Sequence, residues 1–399
     1  MLYPPPAEKK NNQKMTNEVK TLFGSFPGAR FIGKEERKEV LTVLDAQSPY
    51  RFYGLNLLKK AEALEALCRS LFQRSYALAV SSGTAALHTA LFSLGVNKGD
   101  EVILPAYAWS ADLMAILALG AIPVIAPIDE TLGLDSSSLA SCISRKTKVI
   151  IAVHMRGYPC NLERIVNFCK AQRIFILEDG AQCLDGKING KPVGSMGDVS
   201  ILSFQYHKFA TSGEGGMLLT NDPKLYERAC RFHDLGMFRK AGDPDPEGST
   251  AIQSLGLNYR ISELQAAFLL AQLERMSVVH KSLMRTRERA QKVLEPFCRE
   301  FGLKERLLSP RAEPNGAFLC LTAPNKRKMD EAWNELCKKG VAVGRCSQQD
   351  PHHFMVWKKF MDRSGFKYRC PNSSGSLKFL ERSLFFELNP LPASRGERK

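Results

Sequence analysis

The chain has 399 residues, 44% of them hydrophobic, which is enough material to bury the cores of one large and one small domain. Its eleven cysteines are odd in number and include no C-x-x-C pair. This pattern predicts reduced thiols in a cytoplasmic protein and argues against a disulfide framework or a zinc site. The longest apolar stretches are interrupted by glycine and proline, and residues 1–15 lack the apolar segment of a secretory signal, so we expect no membrane association.

The net charge of +15 has three interpretations. A basic surface can steer an anionic substrate, such as a nucleotide-linked or acidic sugar. It can also bind nucleic acid without specificity, although no nucleic-acid-binding module is apparent in the sequence. A solvated basic surface with no partner is the third interpretation, and composition alone leaves all three open.

A polar leader, residues 1–28, opens the chain, and its composition predicts a mobile segment. A helix is predicted over Lys34–Asp45, and an amphipathic helix is predicted at 162–169. Apolar runs predict short buried strands at 102–104, 122–128, 149–153, 174–177 and 199–204. Because strands alternate with helices, the sequence predicts an α/β fold with a mostly parallel sheet and helices on both faces.

A domain boundary is predicted near residue 275. It separates a large domain, residues 29–275, from a smaller C-terminal domain, residues 276–399. Strands predicted at 317–321 and 340–343 give the smaller domain an α+β character.

The first motif with chemical content is Ser82-Gly83-Thr84, which precedes leucines at helical spacing. The motif is therefore predicted at a helix N-terminus, where free N–H groups and the positive end of the helix dipole favour a phosphate. An ordinary Ser/Thr helix cap fits the same residues. Neither a P-loop nor a dinucleotide-binding G-x-G-x-x-G is present, which leaves a nicotinamide-dependent oxidoreductase as a distant alternative.

Two carboxylates, Glu178 and Asp179, follow the strand predicted at 174–177. Ligands of open α/β sheets bind beyond the carboxyl ends of the strands, so Asp179 stands where a site is expected. A carboxylate in that position can keep a pyridine nitrogen protonated, which lets the ring accept electrons. The structural alternative is that both residues cap a following helix.

Lys208 follows the strand predicted at 199–204 and precedes a glycine-rich turn. A lysine at the end of a core strand is poorly solvated, so its amine can lose its proton near neutral pH and form a Schiff base. A solvated loop lysine is the alternative for Lys208 taken alone. Together, an anion cradle, an acid and a reactive lysine match the phosphate, the pyridine nitrogen and the aldehyde of pyridoxal 5′-phosphate.

These motifs resemble those of the DegT/StrS-type, pyridoxal-phosphate-dependent sugar aminotransferases. The resemblance runs from about residue 31 to about residue 276, and more loosely beyond. It implies an aspartate-aminotransferase-like (fold type I) large domain. Further matching motifs are Gly99-Asp100-Glu101-Val102-Ile103 with Pro105, Glu178-Asp179-x-Ala181-Gln182, Gly197-Asp198 with Ser203-Phe204, and the run from Asn258 to Ala267.

The resemblance also assigns roles to single residues. Lys208 matches the lysine that forms the Schiff base, and Asp179 matches the partner of the pyridine nitrogen. The other matches are Gly83, Thr84 and Ser203 at the phosphate, Gln182 near the ring hydroxyl, Trp109 stacked on the ring, and Asn258 at the phosphate of the neighbouring subunit, while Ser82 is a candidate phosphate contact from its place at the helix N-terminus. The site is thus implied to be shared across a homodimer. A core tryptophan is the alternative for Trp109, and a turn residue before a capped helix is the alternative for Asn258.

The activity implied by the resemblance is transfer of an amino group from glutamate or glutamine to a keto-sugar, in surface polysaccharide or secondary-metabolite biosynthesis. Lys208 would move a proton as general base and then acid. Some relatives carry a histidine in place of the lysine and act as dehydratases on keto-sugars. In the family the lysine stands five residues after the serine of Ser-Phe, a spacing that Ser203 and Lys208 match. This register favours transamination and leaves His207 without a role.

Two other functions stay open. The first is a different reaction on the same cofactor, of the dehydratase or aromatic-amine synthase type. The second is a non-catalytic regulatory relative, because the chain ends sooner after Phe386 than the family does, which predicts a shortened small domain. Arg156 stands where a bulky neutral residue is more usual and is consistent with an acidic substrate. His352 and His353 are predicted to face either the substrate or a surface loop.

Overall fold

The computed structural model describes residues 21–239 and 252–391. Most of the predicted leader, residues 1–20, lies outside the described residues, as do the last residues of the predicted C-terminal domain, 392–399.

A seven-stranded sheet forms the centre of the larger part of the molecule. Its strands are β1 (Tyr76–Val80), β2 (Glu101–Pro105), β3 (Ile122–Ala126), β4 (Thr147–Val153), β5 (Phe175–Asp179), β6 (Val199–Ser203) and β7 (Gly216–Thr220). They lie in the order β1-β7-β6-β5-β4-β2-β3. Only β7 runs antiparallel to its neighbours, so the predicted mostly parallel sheet is confirmed.

The strands of this sheet are buried on both faces, which explains why they read as apolar runs rather than as alternating patterns. Along β1, Leu78 and Val80 pack into one hydrophobic cluster, whereas Ala77 and Ala79 pack into the cluster on the opposite face. Successive side chains of a strand point to opposite faces, so each strand serves two layers of helices.

Helices of eight or more residues cover the two faces and continue into the C-terminal part. They are α1 (Lys34–Asp45), α2 (Lys60–Leu71), α3 (Gly83–Ser93), α4 (Ser110–Ala118), α5 (Leu162–Gln172), α6 (Pro223–His233), α7 (Glu263–Glu274), α8 (Met276–Phe301), α9 (Lys326–Lys338) and α10 (Phe354–Ser364). None of the helices in the described ranges combines the length and the apolar character that a membrane span requires.

The C-terminal part has a four-stranded antiparallel sheet. Its long strands are β8 (Phe318–Thr322) and β9 (Ser383–Glu387), and two-residue edge strands lie at Lys304–Glu305 and Gly344–Arg345. The prediction of a strand at 340–343 is wrong, because the edge strand of the structure lies at Gly344–Arg345 instead. Gly340 has a φ of 72° and ends the turn after α9, so the backbone reaches a pairing geometry with β9 only at Gly344.

Residues 21–28 of the predicted leader are packed against the folded body. Leu22 and Phe23 are buried, and the N–H of Gly24 donates to the carbonyl of Glu387 at 3.0 Å. The N–H of Gly28 donates to the carbonyl of Lys208 at 3.2 Å. This segment therefore joins the C-terminal sheet to the loop that carries Lys208.

Candidate active site

The carboxyl ends of β1, β5 and β6 meet at one edge of the central sheet because these strands run in the same direction. Asp179 is the last residue of β5, and Ser203 is the last residue of β6. Helix α3 begins at Gly83, directly after β1, and Lys208 follows β6 by a short turn. The predicted site residues from distant sequence positions thus converge on this edge.

The N-terminus of α3 is built around a close approach of two backbones. The Ser82 hydroxyl accepts a hydrogen bond from the N–H of Ala85 at 3.0 Å, which makes Ser82 the N-cap of the helix. A Cβ on Gly83 would lie 2.7 Å from the Cβ of Ser203, so only glycine fits between α3 and β6. Thr84 is exposed in the first turn. The interpretation of Ser82 as a helix cap is confirmed. The predicted role of Ser82, Gly83, Thr84 and Ser203 in binding a phosphate stays a prediction.

Asp179 is 4% exposed and faces the site. Its Oδ1 accepts a hydrogen bond from the N–H of Ala181 at 2.8 Å. Turns rather than a helix follow β5, so Asp179 does not cap a helix. Burial raises its pKa, opposed by the hydrogen bond from Ala181 and by the charge of Lys208.

Glu178, the neighbour of Asp179, is fully buried on the other side of the strand. Its carboxylate accepts hydrogen bonds from the N–H groups of Gly194 (2.6 Å), Met196 (2.9 Å) and Gly197 (2.9 Å). Burial alone would raise the pKa of Glu178, but His154 and these backbone donors outweigh it and lower the pKa to about 2. Glu178 therefore organises the loop before β6 and is not part of the site.

Lys208 is half-buried in a turn in which its own N–H donates to the carbonyl of Gln205 at 2.9 Å. Burial lowers the pKa of its ammonium group below the ordinary 10.5, opposed by the charges of Asp179 and Asp112. The charge of Arg156 acts in the same direction as burial. An ammonium group in these surroundings loses its proton more readily than a surface lysine, which favours the predicted reactive lysine over a solvated loop lysine.

A loop of the C-terminal part completes the site through His352. The Nδ1–H of His352 donates to Asp350 Oδ1 at 2.7 Å, which leaves Nε2 to accept from the Gln182 amide at 3.2 Å. The ring lies 4.8 Å, centroid to centroid, from the indole of Trp109. Burial lowers the pKa of His352 to about 4, so the ring is neutral near pH 7. Of the two histidines, His352 faces the site and His353 caps α10.

Trp109 is 44% exposed at the start of α4, so the core alternative for this tryptophan is wrong. Arg156, with a left-handed φ of 52°, donates from Nε to the Tyr107 hydroxyl at 2.8 Å. The Arg156 guanidinium also lies 3.8 Å from Asp350 and 4.3 Å from the ring centroid of Phe385. These contacts join the large and C-terminal parts next to the site.

Asn258 lies in a segment that runs beside the start of α3, since the next residue, Tyr259, accepts the N–H of Ser81 at 2.8 Å. Asn258 is exposed, and its backbone pairs with Asp234. The capping box of Ser262 and Gln265 begins α7, as the sequence predicts. The role of Asn258 toward a neighbouring subunit stays a prediction.

Asp112 and Asp350 belong to the site, but the sequence-based predictions do not include them. Asp112 is the lone charged residue of the apolar helix α4 and lies three residues after Trp109, so both stand on one side of the helix. An isolated carboxylate in an apolar helix was the available signal. Asp350 carries no comparable signal, because only the folded chain brings its loop to Gln182.

The sequence and the fold both match known proteins. A family model described as the DegT/DnrJ/EryC1/StrS aminotransferase family matches residues 31–372. A GDP-perosamine synthase from Escherichia coli O157:H7 is 42% identical over 200 residues, which are 50% of this chain and 53% of that protein. The chain spans about half the length of the curated relatives it matches.

Among solved structures, an aminotransferase from Psychrobacter cryohalolentis has a TM-score of 0.79 at 24% identity, covering 92% of this chain and 94% of that chain. A mutant GDP-4-keto-6-deoxymannose-3-dehydratase with bound GDP-perosamine has a TM-score of 0.75 at 22% identity, covering 92% of this chain and 95% of that chain. Likeness at these identities shows the fold. The predicted fold class is therefore confirmed, and the fold itself does not separate the reactions.

Proposed function

This chain belongs to the DegT/DnrJ/EryC1/StrS aminotransferase family, and we propose that it moves an amino group from glutamate or glutamine to a keto-sugar with pyridoxal 5′-phosphate as cofactor. The observation that carries the proposal is the position of Lys208. Lys208 is half-buried, burial lowers the pKa of its ammonium group, and the charge of Asp179 acts on it from the end of the neighbouring strand. This is the environment that a nucleophilic lysine needs.

The residues at the sheet edge fit the proposed cofactor. The N-terminus of α3 and Ser203 form a cradle that a Cβ on Gly83 would fill, which suits a phosphate close to the backbone. Asp179 supplies a carboxylate for a ring nitrogen, and the partly exposed Trp109 supplies an aromatic face. In the proposed site, Ser82, Gly83, Thr84 and Ser203 hold the phosphate, Asp179 and Gln182 hold the ring, and Trp109 stacks on it.

When bound, the cofactor supplies a ring that withdraws electrons from the bonds at the amino-bearing carbon. The chain contributes the proton transfers. Lys208, once its amine is free, takes a proton from the substrate carbon as general base and returns one as general acid. Asp179 keeps the ring nitrogen protonated through its charge. His352, neutral near pH 7, orients the Gln182 amide rather than adding a charge.

The proposed acceptor is a keto-sugar linked to a nucleotide. The curated relatives are named GDP-perosamine synthases, and a name of this kind denotes an amino sugar on a nucleotide. The net charge of +15 supports an anionic substrate, because a positive field raises the association rate of anions. Within the site, however, the Arg156 guanidinium is already engaged by Tyr107 and Asp350, so we assign it to holding the site together and not to the substrate.

We place the protein in the cytoplasm as a homodimer with shared sites. All eleven cysteines are free thiols, which supports a reducing compartment. Exposed Leu235, Leu255 and Leu257 lie on one surface beside Asn258, since the N–H of Leu235 donates to the carbonyl of Leu257 at 3.1 Å. An exposed apolar patch of this kind supports an interface between copies of the chain.

The alternatives of a keto-sugar dehydratase and an aromatic-amine synthase use the same fold and the same cofactor. The spacing from Ser203, which matches that of the family's lysine, supports Lys208 rather than His207 at the reactive position. The His207 ring is exposed and lies 4.4 Å from the ring of Phe26. This position supports transamination over dehydration.

The experiment that tests the proposal is a half-reaction assay. Purified protein is reconstituted with pyridoxal 5′-phosphate, and the visible absorption of the lysine-bound cofactor is followed. Glutamate or glutamine should convert the cofactor to its amine form, and a nucleotide-linked keto-sugar should return it. Lys208→Ala should abolish both steps, whereas His207→Asn, the matched control next to it, should retain them. Conversion that persists in Lys208→Ala contradicts the proposal, and cofactor binding without turnover favours a regulatory relative.

A further inference from the structure

Asp112 is a carboxylic acid buried in an apolar setting beside the proposed site. It lies in the first turn of α4, whose other residues carry no charge, and it is 0% exposed. Both of its carboxylate oxygens are buried, and no other described residue donates a hydrogen bond to either of them. Burying an ionised carboxylate without a donor is too costly to persist, so this group needs a proton or a partner.

The partner that faces Asp112 is another carboxylate. Asp112, in the helix that follows β2, and Asp179, the last residue of β5, stand at the same carboxyl edge of the parallel sheet, and after burial Asp179 is the group that acts most strongly on the Asp112 carboxyl. Two carboxylates that share a buried site cannot both ionise, because their like charges repel in a medium that screens them poorly. The pair therefore retains one proton, and that proton forms the hydrogen bond between the two groups.

The surroundings decide which of the two carries the proton. Asp179 accepts the N–H of Ala181 at 2.8 Å, and the charges of Lys208 and His154 act on it in favour of the anion. On Asp112, the influences in favour of the anion are its own backbone N–H and the charge of Lys208, and no other residue donates to its carboxylate in the described part of the chain. Burial and the nearby Asp179 raise the pKa of Asp112 well above its usual range. The proton thus belongs to Asp112.

We propose that Asp112 is a positioning residue, which stays protonated near neutral pH and donates a hydrogen bond to Asp179. This inference rests on the proposed function, because the aspartate it serves is the one assigned to the ring nitrogen of the cofactor. The bond fixes the carboxylate of Asp179 on its strand and keeps it ionised. It also stabilises the negative charge, which limits how strongly Asp179 draws the proton away from the ring nitrogen.

The first test detects the proton on the cofactor-free and the reconstituted protein by infrared difference spectroscopy. We expect the carbonyl stretch of a protonated carboxylic acid near neutral pH, shifted when the protein is labelled with carboxyl-¹³C aspartate. Asp112→Asn should remove this band. Asp129→Asn is the matched control, because Asp129 is another aspartate whose pKa is raised by burial but which lies outside the site. Absence of a labelled band, or a band that survives Asp112→Asn, overturns the inference. The labelling needs only the natural protein, so it stands even if the variant fails to fold.

The second test measures cofactor affinity. Asp112→Asn keeps a donor toward Asp179, and its dissociation constant should stay within about threefold of the natural value. Asp112→Ala removes the donor and should weaken binding by about tenfold or more. Equal losses in both variants contradict the inference, because they would mean that Asp112 acts only through packing. If the natural protein binds no pyridoxal 5′-phosphate, the proposed function fails, while the infrared band still decides the state of Asp112.

Discussion

The imidazole of His352 and the indole of Trp109 lie with their ring centroids 4.8 Å apart, one from the C-terminal part and one from the start of α4. The same imidazole accepts the Gln182 amide at 3.2 Å. His352 thereby connects an aromatic face and a ring-binding side chain that the sequence places far apart.

We expect His352→Ala to weaken cofactor binding by about tenfold, because Gln182 loses an acceptor and Trp109 loses a packing surface. His353→Ala is the matched control. It removes the acceptor of the Met355 N–H at the start of α10, so it should cost about 1 kcal/mol of unfolding free energy and leave cofactor affinity unchanged. Fluorescence titration with pyridoxal 5′-phosphate and urea unfolding measure the two effects. Equal affinity losses in both variants would contradict the separation of roles.

The close approach of Gly83 to Ser203 predicts that a larger residue at position 83 will clash, and that a smaller residue at position 203 will relieve the clash. Gly83→Ala places a Cβ 2.7 Å from the Cβ of Ser203 and should destabilise the fold by about 1–3 kcal/mol. Because the clash is with the side chain of Ser203, Ser203→Gly in the same protein should recover part of this loss, measured as a double-mutant cycle by urea unfolding. Gly375→Ala, where nothing lies within 4 Å of an added Cβ, should change stability by less than about 1 kcal/mol. Independent effects of the two cradle substitutions would refute this packing.

Glu178 predicts a pH dependence of stability. Its pKa is about 2 in the folded protein against an ordinary 4.5, so its contribution is fully present above pH 4.5 and is lost as the pH falls toward 2. Glu178→Gln should destabilise the protein by about 3–5 kcal/mol at neutral pH, because buried Arg74 and the backbone donors lose their charged partner.

The measurement is urea unfolding between pH 2 and 7, within the range in which the protein refolds. Glu227→Gln is the control, since Glu227 forms an exposed ion pair with Arg231 and should cost less than about 1 kcal/mol. A Glu178→Gln variant with natural stability and natural acid sensitivity would show that the carboxylate does not anchor the loop at 194–197.

The shared site of the proposed homodimer predicts complementation. Lys208→Ala and Asn258→Ala should each be inactive or strongly impaired alone. If Asn258 reaches the partner's site, a mixed dimer contains one site in which both residues are natural. Random mixing makes about half of the dimers mixed, so about a quarter of the natural activity should return. Refolded mixtures assayed for the half-reaction test this, with Lys208→Ala mixed with itself as the control. Activity no higher than that of the separate variants would mean that the two residues serve the same chain.

Local pattern was sufficient for much of the fold. The helix predicted over Lys34–Asp45 has those bounds in the structure, and the strand predicted at 149–153 lies within Thr147–Val153. These elements carry their own periodic or continuous apolar signal, which tertiary contacts reinforce. The strand predicted at 340–343 failed because four apolar-looking residues fit a turn as well as an edge strand, and pairing with β9 selected Gly344–Arg345 instead.

The sequence by itself determined the family, the alternation of strands and helices, and the position of Lys208 five residues after Ser203, because these are properties of spacing along the chain. The tertiary structure decided which groups surround that lysine. It buried Glu178 in the core, left Asp179 at the carboxyl edge of the sheet with Asp112 at the same edge, and brought the ring of His352 next to Trp109. Burial and the charge of a neighbour set whether a carboxyl or an amine is ionised, and both depend on contacts between residues remote in sequence.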